Sequence, residues 1–341
     1  MRYYGGKQKL LTFISESVDS VLGGGRAVVG DAFAGTGVVS QRLKEEGYQV
    51  SANDLMYFSA CLNVENLNFS SSNEWTDRPS EKFAADLLAH LQGVKGVHGI
   101  VTESFSPAGS EGRMYFSPQN AMLIDALRLE IAKLKESGTI EGEWEEFAIS
   151  RLLRAINQVS NVTGTFAAFM KSWDSRALKP LEYTFAEKSL VRKEFRSRIF
   201  NGDIFDYLQI EPLDLVYLDP PYNSRDYSTN YGILEYIALG FPSENCPSGV
   251  TGAVKFPDKK SEFTSKRTVA SAFERMFKVI QCDHVILSYN NEGLLGRDAL
   301  YAILESFGNV EIRERRHKRF RSINQDGTHV ETVESLYLVS R

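Results

Sequence analysis

The sequence has few cysteines and no long apolar run, and each of these features excludes a class of protein. Its three cysteines, Cys61, Cys246 and Cys282, are odd in number and fit no zinc or redox motif, so we expect reduced thiols and no metal site. No stretch of about 18 apolar residues occurs, so we expect no membrane span. The first ten residues are basic and lack an apolar segment. We therefore expect no secretory signal and a cytoplasmic location.

Positive charge is also scarce. The chain carries 39 Lys and Arg against 44 Asp and Glu, and its net charge of -5 does not by itself indicate a nucleic-acid-binding protein. Basic residues nevertheless cluster in the ranges 313–321 and 255–267. We hypothesise that these clusters contact phosphates. Solvated surface charge is the simpler interpretation of either cluster taken alone.

Short apolar runs are abundant, and they predict the fold. Seven of them, bounded by turn residues, are typical of buried parallel strands. They are 27–30, 48–52, 198–200, 213–218, 284–289, 310–312 and 335–339. Amphipathic stretches between them, such as 39–46 and 297–307, predict helices. This alternation predicts an α/β fold with a doubly wound, mostly parallel, seven-stranded sheet.

The alternation is interrupted between the second and third predicted strands. Helical patterns at 81–91, 118–136 and 143–159 fill this interval, which is too long for a simple crossover. We therefore predict one domain from 1–69 and 190–341, and a helical insertion over 70–189. A second stretch, 222–268, shows little periodicity. It is interpreted as a long functional loop rather than core.

A glycine-containing turn follows the first predicted strand, over Asp31-Ala-Phe33-Ala-Gly35-Thr-Gly37. Such glycines let the backbone approach a cofactor closely, just before a helix begins. Asp54 ends the second strand, where a carboxylate can accept hydrogen bonds from ribose hydroxyls. Together they indicate a nucleoside-containing cofactor. Ser40 occupies the position of the third glycine of a dinucleotide fingerprint, which argues against a nicotinamide cofactor.

The strand over 213–218 ends in Asp219-Pro220-Pro221-Tyr222. Ligands bind at the carboxyl ends of parallel strands, so chemistry is expected here. The two prolines fix the backbone and remove two N–H donors, which leaves a carboxylate and a carbonyl as acceptors beside an aromatic ring. A ring-bound amine offers two donors and a planar face. The turn therefore suits adenine or cytosine, and a duplex base must be flipped out to reach it.

These motifs, in this order, resemble the Dam-like DNA adenine-N6 methyltransferases, in which Arg2-Tyr-Tyr-Gly-Gly-Lys7 is similar to the opening cofactor motif and Asn201-Gly-Asp203 to a further one. The resemblance implies S-adenosylmethionine as the methyl donor and a methyltransferase sheet. It implies a catalytic turn formed by Asp219, Pro220, Pro221 and Tyr222. It also implies cofactor contacts from Tyr3, Lys7, Asp31, Phe33, Gly35, Gly37, Asp54, Asp203 and Asp219.

Two further segments, 223–231 and 287–293, resemble more specifically the methyltransferases of type II restriction-modification systems. This resemblance implies a site-specific DNA methyltransferase that acts on double-stranded DNA, with a cognate restriction endonuclease as a possible partner. The insertion 70–189 would then recognise the target. Two alternatives remain: a cytosine-N4 DNA methyltransferase, and a non-catalytic DNA-binding module with a degenerate cofactor pocket.

Some residues in these motifs also have purely structural interpretations. Asn161 is interpreted as a turn residue and Tyr231 as a core aromatic. Asp203 could cap a helix, although its motif context favours a cofactor contact.

Overall fold

The structure is a computed structural model that describes residues 5–69, 78–184, 196–210, 212–323 and 329–341. The described residues form seven strands: β1 (Val28–Asp31), β2 (Gln49–Asp54), β3 (Arg198–Asn201), β4 (Leu215–Leu218), β5 (His284–Asn290), β6 (Asn309–Ile323) and β7 (His329–Ser340). The α-helices are α1 (Leu11–Leu22), α2 (Val38–Glu45), α3 (Tyr57–Asn68), α4 (Arg78–Gln92), α5 (Ile100–Phe105), α6 (Pro118–Glu136), α7 (Glu143–Val159), α8 (Ile204–Ile210), α9 (Tyr227–Asn230), α10 (Gly232–Ala238), α11 (Val269–Val279) and α12 (Arg297–Glu305). Within these described ranges, every helix is too short or too polar to cross a membrane.

The chain divides into two compact units. The sheet unit comprises Lys7–Leu55, Arg192–Asp226 and Lys260–Arg341, and it contains all seven strands named above. The helical unit comprises Met1–Gly6, Met56–Val191 and Tyr227–Lys259.

The sheet has the strand order β3-β2-β1-β4-β5-β7-β6. Neighbouring strands from β3 to β5 are parallel, which confirms the mostly parallel, seven-stranded sheet predicted from the apolar runs. The prediction that the last strand is also parallel is wrong, because β7 is antiparallel to both β5 and β6. Only five residues separate β6 from β7, too few for the crossover that parallel strands need.

Helices cover the sheet unit in the doubly wound manner. Side chains alternate along β4, so Val216 and Leu218 face one side while Leu215 and Tyr217 face the other, and all four are buried. Val216 and Leu218 belong to the core formed with α8, α11 and α12. On α1 and α2 the buried residues include Ile14, Val18 and Leu43, which form their apolar faces. The strands thus read as continuous apolar runs because both faces are covered.

The helical unit has its own apolar core, drawn from α3 to α7 and α10. The interpretation of 222–268 as a loop without core residues is wrong, because every residue of α10 is buried. Glu235 on α10 is 0% exposed. Its carboxylate accepts hydrogen bonds from the backbone N–H groups of Tyr57 and Phe58 at 2.9 Å each, at the start of α3, and from Lys259 Nζ at 2.5 Å. This segment was missed because its helix is only seven residues long.

Candidate active site

Three predicted carboxylates lie at one edge of the sheet. Asp31 ends β1, Asp54 ends β2, and Asp219 follows the last residue of β4. Because β2, β1 and β4 are neighbouring parallel strands, their carboxyl ends share an edge, and this is where ligands bind in such sheets.

The predicted glycine turn connects β1 to α2. Gly35 and Gly37 have φ angles of 51° and 76°, in the left-handed region that disfavours a side chain. The Gly35 N–H donates to Asp54 Oδ2 at 2.8 Å, so the turn is tied to the end of β2. The structure thus brings together three of the predicted cofactor-binding residues.

Asp31 is 1% exposed and accepts two hydrogen bonds from Ser40, from the hydroxyl at 2.6 Å and from the backbone N–H at 3.1 Å. Burial raises the pKa of Asp31 to about 7. The charges of Asp219 and Asp54 also raise this pKa, whereas the hydrogen bonds from Ser40 lower it. Ser40, which replaces the third glycine of a dinucleotide turn, therefore serves to bind this carboxylate.

Lys7 lies between two acidic side chains. Its Nζ is 2.8 Å from Glu334 Oε1 and 3.0 Å from Asp219 Oδ1, and its side chain is 5% exposed. Only the contact with Glu334 has hydrogen-bond geometry, because Asp219 Oδ1 has no hydrogen-bond donor among the described residues. Burial would lower the pKa of Lys7, but Asp219 and Glu334 outweigh it and raise that pKa well above its ordinary value.

The D-P-P-Y turn places Asp219 largely out of solvent, with its side chain 17% exposed. Burial raises the pKa of Asp219 to about 6, while Lys7 opposes this shift and Glu334 adds to it. Pro220 is buried and Pro221 is partly exposed. The ring of Tyr222 lies edge-on to Tyr289, and Lys7 Nζ is 5.5 Å from its centroid. Lys7, Asp219 and Tyr222 thus form one group.

Asp203 lies after β3, at the far end of this edge, where its Oδ1 accepts the Phe205 N–H at 2.8 Å. It therefore caps α8, as its structural interpretation stated. Next to it, Phe33 and Phe205 both contact Phe263, with centroids at 5.5 and 6.5 Å. The Arg275 guanidinium lies 3.5 Å from the Phe205 centroid. A small aromatic cluster therefore borders the glycine turn.

Sequence reasoning missed three residues near this edge: Glu334, Asn53 and Phe263. Asn53 is buried, and its side-chain amide donates to the Ala32 and Gly202 carbonyls at 3.3 and 3.2 Å, tying together the loops after β1 and β3. It directly precedes Asp54, so the strand-end position was its only signal. Phe263 is an apolar residue within the basic range 255–267, and no motif or periodicity marked it. The predicted cofactor residue Tyr3 lies outside the described residues.

Two residues of the helical unit, Tyr231 and Asn161, were given structural rather than functional interpretations. Tyr231 is fully buried, as expected of a core aromatic. Asn161 does more than form a turn: its side chain is 0% exposed, donates to the carbonyls of Met114, Met170 and Ser172, and accepts the Asp174 N–H. It fixes the loop that follows α7.

The basic clusters are partly neutralised within the chain. Lys259 pairs with the buried Glu235, so its hypothesised phosphate contact is not supported. Arg313 on β6 contacts Glu311 at 2.6 Å. Lys266 and Arg267, in contrast, are exposed.

Comparison with known proteins decides the family. The model of the D12 class N6 adenine-specific DNA methyltransferases matches residues 3–85 and 145–303, which is most of the chain. The chain belongs to this family. The enzyme is therefore an adenine-specific DNA methyltransferase, as predicted, and methyltransferases of this kind generally use S-adenosylmethionine. Both matched segments contain residues of the edge described above.

Individual relatives are similar along nearly the whole chain. The type II methyltransferase M.NlaIII of Neisseria lactamica is 31% identical, over 94% of this chain and 93% of that protein. The type II methyltransferase M.CviAII of Paramecium bursaria Chlorella virus 1 is 32% identical, over 96% and 95%. The modification methylase StsI of Streptococcus sanguinis is 31% identical over 100% of this chain. This chain spans about half of the length of StsI, 52%.

Proposed function

We propose that the enzyme transfers a methyl group from S-adenosylmethionine to N6 of adenine at a specific site in double-stranded DNA. We further propose that it is the modification enzyme of a restriction-modification system with a cognate endonuclease. The observation that carries this proposal is the buried Asp219 Oδ1, which lies beside Lys7 yet has no hydrogen-bond donor among the described residues. A buried acceptor left unsatisfied is costly, and it fits a substrate that brings its own donor.

The substrate amine has two N–H donors, and the D-P-P-Y turn has two acceptors. Asp219 Oδ1 accepts one hydrogen, and the Pro220 carbonyl accepts the other. The amine lone pair is normally delocalised into the base. Accepting both hydrogens favours a tetrahedral nitrogen and localises that lone pair for attack, as acceptors fixed in advance do elsewhere. Tyr222 supplies the face against which the flipped base stacks.

The proton balance follows from the same acceptor. When the amine nitrogen forms a bond to the methyl carbon, the bond between that carbon and the donor sulfur would break, and the sulfur would keep the bonding pair and leave as a neutral thioether. The nitrogen then loses one proton. Asp219 Oδ1, hydrogen-bonded to that nitrogen, can accept this proton. Because the pKa of Asp219 is about 6, its carboxyl group releases the proton to water at neutral pH. No covalent intermediate with the enzyme is needed.

The residues at the sheet edge fit S-adenosylmethionine. This donor supplies an electrophilic methyl group on a positively charged sulfur. The carboxylates of Asp31, Asp54 and Asp219 make the edge acidic, which suits a cation. We assign Asp54 to the ribose hydroxyls and the left-handed Gly35 and Gly37 to close backbone approach.

Other assignments to the donor rest on position and resemblance. Asp203, Phe33 and Phe205 border the site for the adenine of the donor, and Tyr3 and Lys7 remain predicted contacts. The helical segment 70–189 is proposed to recognise the DNA target.

The test compares Asp219→Ala with Asp206→Ala, a control at an exposed carboxylate on α8. Each variant is incubated with DNA and radiolabelled donor, and the DNA is digested to nucleosides. We expect wild type and Asp206→Ala to yield N6-methyladenine. Asp219→Ala should lose at least about 10²-fold in rate, because both orientation and acceptor are lost.

Two results would contradict the proposal. Retained turnover in Asp219→Ala would remove the catalytic assignment. Label recovered in N4-methylcytosine would replace adenine by cytosine. Mapping the labelled positions reports the recognition site.

A further inference from the structure

Glu334 is a buried carboxylate that the D-P-P-Y reaction does not itself require. It lies in the middle of β7, 2% exposed, opposite Asn290, the last residue of β5. Because β7 is antiparallel to β5, the residue opposite the end of β5 lies at the carboxyl edge of the parallel strands. Glu334 thereby reaches the edge where Asp219 lies, although the two are more than a hundred residues apart.

One oxygen of Glu334 receives two donors. Its Oε1 accepts from Lys7 Nζ at 2.8 Å and from Ser288 Oγ at 2.7 Å. Lys7 Nζ is also 3.0 Å from Asp219 Oδ1, but without hydrogen-bond geometry. The ammonium group thus donates to Glu334 in good hydrogen-bond geometry and acts on Asp219 mainly through its charge.

We propose that Glu334 is a positioning residue: it holds the Lys7 ammonium group beside Asp219 while keeping Asp219 Oδ1 available to the target amine. This role rests on the proposed function of the D-P-P-Y turn. Ser288 supports it by fixing the Glu334 oxygen from β5. Glu334 acts on the target base only through Lys7 and Asp219.

The energetics of burial favour a functional role over a purely structural one. Two carboxylates and one ammonium carry a net charge of -1 in a buried place, and apolar side chains of similar size would generally stabilise a fold as well or better. Such arrangements therefore concentrate at functional sites. A site with excess negative charge also favours a positively charged donor over its neutral product.

The experiment measures kcat against pH, at saturating donor and DNA, for wild type and Glu334→Gln. In the part of the chain that the structure describes, the charged and titratable groups that interact with Asp219 or Lys7 are Glu334, Asp31, Tyr217 and Tyr222, besides these two residues themselves. In the glutamine variant, the neutral amide holds the Lys7 ammonium group less strongly, so Lys7 can shift towards Asp219 and donate to Oδ1. We expect kcat to fall roughly 10²-fold. The midpoint of the pH profile should move down by about one unit, because one neighbouring negative charge is gone.

Glu311→Gln, an exposed carboxylate on β6, is the matched control and should keep the wild-type profile. If Glu334→Gln does not fold, Glu334→Asp serves instead: it retains the charge but withdraws the oxygen, so kcat should fall without a shift of the midpoint. A folded Glu334→Gln enzyme with wild-type kcat and midpoint would overturn the proposal, as would Glu334→Asp with wild-type kcat. If the wild type itself forms no N6-methyladenine, the proposed function fails instead.

Discussion

Asp219 combines two properties that rarely occur together: its Oδ1 is buried beside a lysine, yet that oxygen is not satisfied by a well-aligned hydrogen-bond donor among the described residues. Burial raises its pKa to about 6, so at neutral pH it is mostly ionised but close to accepting a proton. A lower pKa would make it a weaker proton acceptor. A higher one would leave it protonated and unable to accept the amine hydrogen.

The pH dependence of kcat/KM for DNA should report this carboxylate in the free enzyme. The ionised form is the active one, so kcat/KM rises with pH through about 6 and is about tenfold lower at pH 5 than at pH 7. Lys7→Gln removes the cation that stabilises the ionised form, so burial then raises the pKa of Asp219 further. We expect the midpoint of the kcat/KM profile, measured at subsaturating DNA, to move upward in this variant. A midpoint that is unchanged or lower would show that Lys7 does not stabilise the ionised form of Asp219.

Among the site residues, those that lie in contiguous sequence motifs could be predicted. Asp31, Asp54 and Asp219 were identified because each ends an apolar run, and the structure places them at one edge. Glu334 was not identified, because its role depends on the direction of β7. In a parallel strand, the residues that precede 335–339 in the sequence would lie towards the opposite edge of the sheet. Direction is set by the connection to β6, not by the apolar run itself.

Among the elements, the loop between β5 and α12 supports the D-P-P-Y turn. The Leu294 N–H donates to the Tyr222 carbonyl at 2.8 Å, and the Tyr289 ring lies edge-on to Tyr222. Gly293 lies directly against that ring: a Cβ here would be 2.1 Å from Tyr289 Cε1. The loop can therefore hold Tyr222 only if residue 293 has no side chain.

Gly293→Ala should consequently destabilise the enzyme by about 1–3 kcal/mol and reduce kcat, because the displaced Tyr289 ring shifts Tyr222. Gly296→Ala is a close control in the same loop. Its Cβ would meet nothing within 4 Å, and its φ of -64° suits alanine. Thermal unfolding and turnover of both variants check the prediction. Equal effects at the two positions would contradict it.

Element prediction succeeded where periodicity was long. Helices α6 and α7, of 19 and 17 residues, match their predicted ranges 118–136 and 143–159. The buried helix α10 was missed, because seven residues that are buried on all sides show no amphipathic period. The charged ends of β6 and β7 were missed too, since pairing between these strands, not apolar content, extends them.

For the whole molecule, an acidic chain that acts on DNA must rely on local positive charge. The structure divides the basic range 255–267 into two kinds of residue: Lys259 is paired with the buried Glu235, whereas Lys266 and Arg267 are exposed. Sequence alone could not make this division, because the partner carboxylate is identified only once α10 is folded.

Neutralising Lys266 and Arg267 to Gln should lower the salt dependence of DNA binding, by about two in the slope of log K against log salt, if both contact phosphates. Lys259→Gln should leave that slope unchanged. It should instead destabilise the helical unit by about 3–5 kcal/mol, since Glu235 then loses its buried partner. Binding titrations at several salt concentrations, with thermal unfolding beside them, check both. A slope unchanged by the double substitution would leave these two residues as solvated surface charge.

The charged residues of β6 also matter because this strand lies at the edge of the sheet. It ends the seven-stranded sheet, and its 15 residues present backbone donors and acceptors to which another chain could add a strand. Four consecutive residues of this strand are charged: Arg313, Glu314, Arg315 and Arg316. The β6 strand of a second copy, paired along this edge, would bring its own charged side chains against them. The basic run would thus protect the molecule from edge-to-edge aggregation, whether or not it also touches DNA.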